Sequence, residues 1–179
     1  MFADISGFTP LSERLSRLGR EGAEEINGIV NTFFNEMIDI IHRYHGLLFK
    51  FAGDAMLVFF KNISNKPMTS DEAYTNSARR GCLAAIEMQK AISKFENTQT
   101  SQGIFKLEMS IGINTGQAFL AEVGIPGKRI EYILAGKDIN SVVSIEDMAS
   151  AGEIFISTQT YNYVKKLVNI SGTWNIVNT

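Results

Sequence analysis

A single cysteine, Cys82, stands among the 179 residues, so an internal disulfide framework is excluded. It lies in the apolar run Cys82-Leu83-Ala84-Ala85-Ile86 and reads as a core residue. Charge of one sign is lacking too: 17 Lys+Arg stand against 19 Asp+Glu, a net charge of -2. Without a basic excess to neutralise phosphates, a dedicated nucleic-acid binder is not expected. No apolar run approaches the ~18 residues of a membrane span. Asp4 interrupts the N-terminal apolar stretch, which is therefore no signal peptide. There is no repeat, low-complexity tract or internal linker. What remains is an ordinary globule, 45% hydrophobic and 20% charged, large enough for one domain with a real core. A cytoplasmic location is the matching expectation. Met1-Phe2-Ala3 reads as the end of a buried strand that begins upstream, so a piece of a longer protein is expected.

The pattern alternates between two periods. Met1–Ile5 reads as a strand, Ser6-Gly7 as a turn, and Pro10–Leu18 as a helix with proline in its tolerant first turn. Ile26, Ile29, Val30, Phe33, Met37, Ile40, Ile41 and Tyr44 fall at 3.6-residue spacing and predict a helix over Gly22–Tyr44. Leu47–Phe51 and Ala55–Phe60, split by Ala52-Gly53-Asp54, predict a hairpin. A long helix is expected over Asp71–Phe95, then a strand pair, Phe105–Asn114 and Gln117–Val123, broken at Thr115-Gly116. A strand at Glu131–Leu134, a helix over Asp138–Ala149, a strand at Glu153–Ser157 and a short helix from Thr158 complete the series. Helices inserted between hairpins imply an α+β fold: a mostly antiparallel sheet with helices packed on one face.

Asp4 ends an apolar strand, and Asp54 sits at a hairpin tip. Alone, each is an ordinary turn acid. If the first strand lies beside the hairpin, the two carboxylates converge, and paired carboxylates completed by water and phosphate oxygens are a usual way to hold Mg²⁺. The turn Ser6-Gly7-Phe8-Thr9 at a helix start would offer backbone N–H groups to a polyphosphate.

The block Phe2-Ala3-Asp4-Ile5-Ser6-Gly7-Phe8-Thr9 is followed about fifty residues later by Phe49-Lys50-Phe51-Ala52-Gly53-Asp54-Ala55-Met56. Then come Ile111-Gly112-Ile113-Asn114-Thr115-Gly116, Arg129-Ile130-Glu131-Tyr132, Gly136-Lys137-Asp138-Ile139-Asn140 and Gly152-Glu153-Ile154. This ordered set, spanning 1–160, resembles the catalytic domain of class III adenylyl and guanylyl cyclases. Within that family it looks most like the first catalytic half of the soluble, bicarbonate-responsive adenylyl cyclases. The resemblance implies a ferredoxin-like cyclase sandwich over 1–160, with 161–179 a tail or the start of a following segment. It implies conversion of ATP to cyclic AMP and pyrophosphate at an interface between two such domains. Two Mg²⁺ or Mn²⁺ ions would be held by Asp4, Asp54 and the Ile5 carbonyl, with Ser6, Gly7, Phe8 and Thr9 at the phosphates. Lys50 matches the family's purine-reading lysine, or, in a first half, a lysine that helps hold bicarbonate in a second pocket. Asn140 matches a residue that stabilises the transition state.

Three positions depart from that pattern. Ser144 stands where an arginine follows Asn140 by four residues, Ile133 where a polar residue reads the base, and Ser110 where a cation touches the triphosphate. An arginine near Val143 that completes the bicarbonate pocket is missing too. Losing one preorganised donor costs ~3 kcal/mol of transition-state stabilisation, or about 10²–10³ in rate. The expectation is therefore the metal-bearing half of a tandem pair. The alternative is a degenerate cyclase-like domain that binds nucleotide or a partner and regulates without catalysis. A diguanylate cyclase would need a Gly-Gly-acid-acid-Phe hairpin, where this chain reads Phe51-Ala52-Gly53-Asp54-Ala55. Gly127-Lys128-Arg129 fails the phosphate-loop pattern, having Glu122 and Arg129 where glycine and a hydroxyl are needed. His42 and His45, with no other clustered ligand, do not make a zinc site.

Overall fold

The computed structural model describes residues 1–63, 67–125 and 127–167. Its chain order is β1 (Phe2–Ser6), α1 (Phe8–Ser16), α2 (Arg20–Arg43), β2 (Leu47–Ala52), β3 (Ala55–Phe59), α3 (Ser70–Ala91) and a 3₁₀ turn (Ile92–Phe95). Then follow β4 (Thr98–Thr100), β5 (Gly103–Phe105), β6 (Glu108–Ile113), β7 (Phe119–Ile125), β8 (Arg129–Ala135), α4 (Lys137–Glu146), β9 (Ile154–Ile156) and α5 (Thr158–Val164). Five strands form the main sheet in the order β2-β3-β1-β6-β9, antiparallel except for β6 with β9. The α+β architecture read from the sequence is the one observed.

Three details of that reading are corrected. The predicted strand pair around Thr115-Gly116 does not exist: β6 pairs with β1 and β9, while β7 pairs with β8 in a separate ribbon. Thr115-Gly116 is no hairpin turn, because Thr115 is buried with its hydroxyl on that of Thr160 at 2.9 Å. A Cβ on Gly116 would lie 2.1 Å from the Asp138 carboxylate, so the chain is held against the start of α4 there. The hairpin β4–β5 was not foreseen either.

The helices also cover both faces of the sheet, where one was expected. Ala3, Ile5, Met56, Val58, Met109, Ile111 and Ile113 point into one core with Phe33, Met37 and Ile41 of α2 and Ala85 and Met88 of α3. The alternate residues of β6, Ser110 and Gly112, face α4 instead. Period-two alternation on β1 then puts Asp4, the cross-strand partner of Ser110, on the α4 side.

Buried Arg80 of α3 ties the loops together. Its guanidinium donates to the carbonyls of Tyr44 and His45 at the end of α2, both at 3.0 Å, and to that of Lys61. Its Nε donates to Asn76 Oδ1. A cation satisfying the last carbonyls of a helix also complements the helix dipole. Val164 of α5, which crosses residue 160, packs into the same core. Replacing Arg80→Met leaves three carbonyls short of a donor, and the expected cost is about 2–4 kcal/mol. The melting temperature should fall by roughly 5–15 °C, measured by circular dichroism.

Candidate active site

The site is built around the end of β1. Its last register pairs to β3 are Phe2 with Leu57 and Ala3 with Met56, so Asp4 comes one step beyond Ala3, beside the hairpin tip that carries Asp54. That tip is a two-residue connection closed by Ala52 opposite Ala55, with Gly53 supplying the positive φ of 69°. Both carboxylates are half-buried. Burial is the chief cause that lifts the Asp4 carboxyl above its ordinary value; the charge of Asp54 pushes the same way, a hydrogen bond from the Ile5 backbone opposes, and Asp147 adds a smaller rise. The predicted convergence of Asp4 and Asp54 is thus present.

Immediately after Asp4 the chain turns into α1. Gly7 caps that helix with φ 91°, and no side chain caps its first N–H groups. Only glycine fits there, because a Cβ would stand 2.2 Å from the Lys106 carbonyl oxygen. The helix begins at Phe8, two residues before the sequence-based start, so Phe8 and Thr9 lie in its first turn with their N–H groups free of side-chain partners. This is the arrangement that favours anions.

Two further acids join this end of the sheet, and the sequence reading missed both. Glu146, the last residue of α4, is 7% exposed, and Ser110 at 5% exposed donates its hydroxyl to Glu146 Oε1 at 2.5 Å. Burial raises the Glu146 carboxyl, the Ser110 hydrogen bond lowers it, and the charges of Asp4 and Asp147 raise it again. Gly112 allows this close seat, since a Cβ on it would lie 2.6 Å from the Glu146 backbone nitrogen. The place given to Ser110 as a phosphate-facing position is therefore a buried one. Nothing in the sequence distinguishes Glu146 from a solvated acid at a helix end.

The model of the adenylate and guanylate cyclase catalytic domain matches residues 1–176. The chain belongs to this family. The cyclase domain is 27% identical over 148 residues to adenylate cyclase 1 of Rhizobium meliloti, covering 83% of the chain but 20% of that protein. It is 25% identical over 159 residues to adenylate cyclase type 10 of Oryctolagus cuniculus, covering 88% of the chain and 9% of the relative. The chain thus spans only a small part of these curated relatives. Among solved structures, the guanylyl cyclase Cya2 superposes with TM-score 0.75 at 32% identity, covering 96% of this chain and 79% of that one. The adenylyl cyclase CyaB from P. aeruginosa gives 0.68 at 30%, covering 93% and 79%.

The remaining sequence-derived positions of the cyclase domain, Lys50 and Asn140, are both exposed. Lys50 is exposed on the edge strand β2 opposite Leu57, and makes no ion pair with Asp54 or any other acid among the described residues. Asn140 is exposed on α4, whose buried side is Val142, Ile145 and Glu146. Its side chain has no hydrogen-bond partner among the described residues. No helix of the described residues is long and apolar enough to cross a membrane. Among them, too, no group of three His, Cys, Asp or Glu side chains could cage a metal. Two converging hard carboxylates without a cage fit Mg²⁺ or Mn²⁺, which keep waters and take further oxygens from a phosphate substrate; they do not fit a closed zinc site.

The raised Asp4 carboxyl makes a stability prediction. The folded chain holds that proton more tightly than the unfolded chain, so stability falls as pH rises from the ordinary aspartate range through the raised value. Without metal, Asp4→Asn should therefore melt above the unsubstituted protein at pH 7. The gap should close as pH drops toward about 4. Melting curves in chelator across that range measure it.

Proposed function

We propose that this domain is the metal-bearing catalytic half of an adenylyl cyclase, forming cyclic AMP and pyrophosphate from ATP at an interface with a second cyclase domain. The observation that carries this reading is the convergence of Asp4 and Asp54 beside the uncapped start of α1. Asp4, Asp54 and the Ile5 carbonyl would hold two Mg²⁺ or Mn²⁺ ions, which supply Lewis acidity at the ribose 3′-hydroxyl and the departing phosphates. Ser6, Gly7, Phe8 and Thr9 bind and orient the triphosphate through backbone N–H groups. Lys50 provides a cation for the base or, in a second pocket, for bicarbonate. ATP is preferred over GTP because both curated relatives named above are adenylate cyclases, although the solved neighbours include both kinds.

A partner domain is implied by what the chain exposes and lacks. One face of the β7–β8 ribbon carries Phe119 at 66% exposure, Val123 at 51%, Ile125 at 60% and Ile133 at 49%. An apolar face of this kind marks an interface. Ser144 and Ile133 leave Asn140 without the arginine and base reader that would complete a second catalytic centre, which favours a dissimilar partner over a second copy. The same two residues favour the alternative, a regulatory domain that binds nucleotide without turnover.

The assay uses the purified chain with Mn²⁺ and ATP or GTP, alone and with a complementary cyclase domain bearing the Asn and Arg. The expected result is no product alone and cyclic AMP from the mixture. Asp54→Asn should lower that rate at least about 1000-fold, since metal Lewis acidity is worth several kcal/mol. Robust product from the lone chain would refute the half-domain assignment, and silence in every mixture would favour the regulatory alternative.

A further inference from the structure

Position 110 lies on β6 directly across from Asp4 on β1. In this chain that place holds a buried serine whose hydroxyl is spent on Glu146. The consequence is an uncompensated acidic end. Asp4 feels the charges of Asp54 and Asp147, Glu146 feels those of Asp4 and Asp147, and none of the ion pairs among the described residues reaches any of the four. Mutual repulsion of that kind is relieved by a proton or by a cation arriving from outside.

Glu146 is fixed in place by two independent contacts. Its backbone lies against Gly112 so closely that a methyl group there would collide with it, and its carboxylate takes the Ser110 hydroxyl at 2.5 Å. A buried carboxylate ordinarily finds a cationic partner or is avoided. This one is instead held against β6, beside the cross-strand partner of Asp4 and on the face toward which Asp4 points. We infer that Glu146, tethered by Ser110, is a positioning residue of the same acidic site, and that its charge strengthens the hold of Asp4 and Asp54 on a divalent cation without touching the ion. The inference rests on the reading of Asp4 and Asp54 as the metal-holding pair. Outer-shell groups of this type tune affinity because the ion feels the field of the second layer as well as its direct ligands.

The test is Mn²⁺ binding to the full chain, followed by the loss of the free-ion electron paramagnetic resonance signal, with melting curves in chelator beside it. Glu146→Gln keeps an acceptor for Ser110 while deleting the charge. It should weaken Mn²⁺ binding about 10-fold through the lost Coulomb attraction, with no drop in the metal-free melting temperature. Ser110→Ala, which releases the tether but keeps the charge, should weaken binding several-fold and serves as the second variant if Glu146→Gln folds poorly. Glu36→Gln, on the far helix α2 and paired with Lys94, should bind as the unsubstituted chain does. Unchanged Mn²⁺ affinity in Glu146→Gln, or in Ser110→Ala where that variant must substitute for it, overturns the inference. Asp54→Asn separates the two levels: if it abolishes binding while Glu146→Gln is silent, only the role of Glu146 falls. If Asp54→Asn is silent, or the unsubstituted chain binds no Mn²⁺ saturably, the metal-holding reading falls with it.

Discussion

The pairing of β1 between β3 and β6 is the constraint on which the other features depend. A strand bonded on both sides has a fixed register, and a one-residue slip would exchange its two faces. With Phe2 opposite Gly112 and Asp4 opposite Ser110, Ala3 and Ile5 are committed to the core under α2 and α3. Asp4 is thereby committed to the other face. The hydrophobic demand of two small, well-packed positions thus aims a carboxylate. The same register brings the β2–β3 tip alongside, so Asp54 reaches Asp4 from a turn whose geometry Gly53 sets.

The second layer follows from the absence of side chains. Gly112 lets the last turn of α4 rest on β6, Gly116 lets the loop after β6 rest on Asp138, and Gly7 lets α1 start against the Lys106 carbonyl. At each of these points a Cβ would meet another residue closer than 3 Å. Close backbone approach places the acids of α4 and the free N–H groups of α1 around one strand end. Side chains of ordinary size would have kept these elements apart.

This explains which parts were legible in the sequence. The stripe Ile26, Phe33, Met37, Ile40, Ile41 along α2 announces its own burial, because a helix carries its period locally. Asp54 between two apolar runs announces a hairpin for the same reason. Local pattern alone pairs Gln117–Val123 with β6, whereas β7 pairs with β8. Thr115 and Gly116 have turn-like identities, and their actual partners, Thr160 and Asp138, lie 45 and 22 residues downstream. Asp138 stands within the motif Gly136-Lys137-Asp138-Ile139-Asn140, but nothing local gives its contact. The polar β4–β5 hairpin has no alternation to betray it. Glu146 was invisible because its burial is decided by Gly112, a residue on another element.

Stability and function are opposed at this end of the molecule. An acidic cluster without a counter-charge disfavours the folded state, as does an apolar ribbon left facing water, and neither helps the isolated chain. Both features gain if the missing terms come from outside: cations for the carboxylates, a second domain for Phe119, Val123, Ile125 and Ile133. Departures from local optimality are expected where a structure is completed by binding. In this domain the two departures lie on elements joined through α4, which follows directly on β8 and packs against β1 and β6. The helix that follows the exposed ribbon is thus fastened, at its far end, to the strand opposite Asp4.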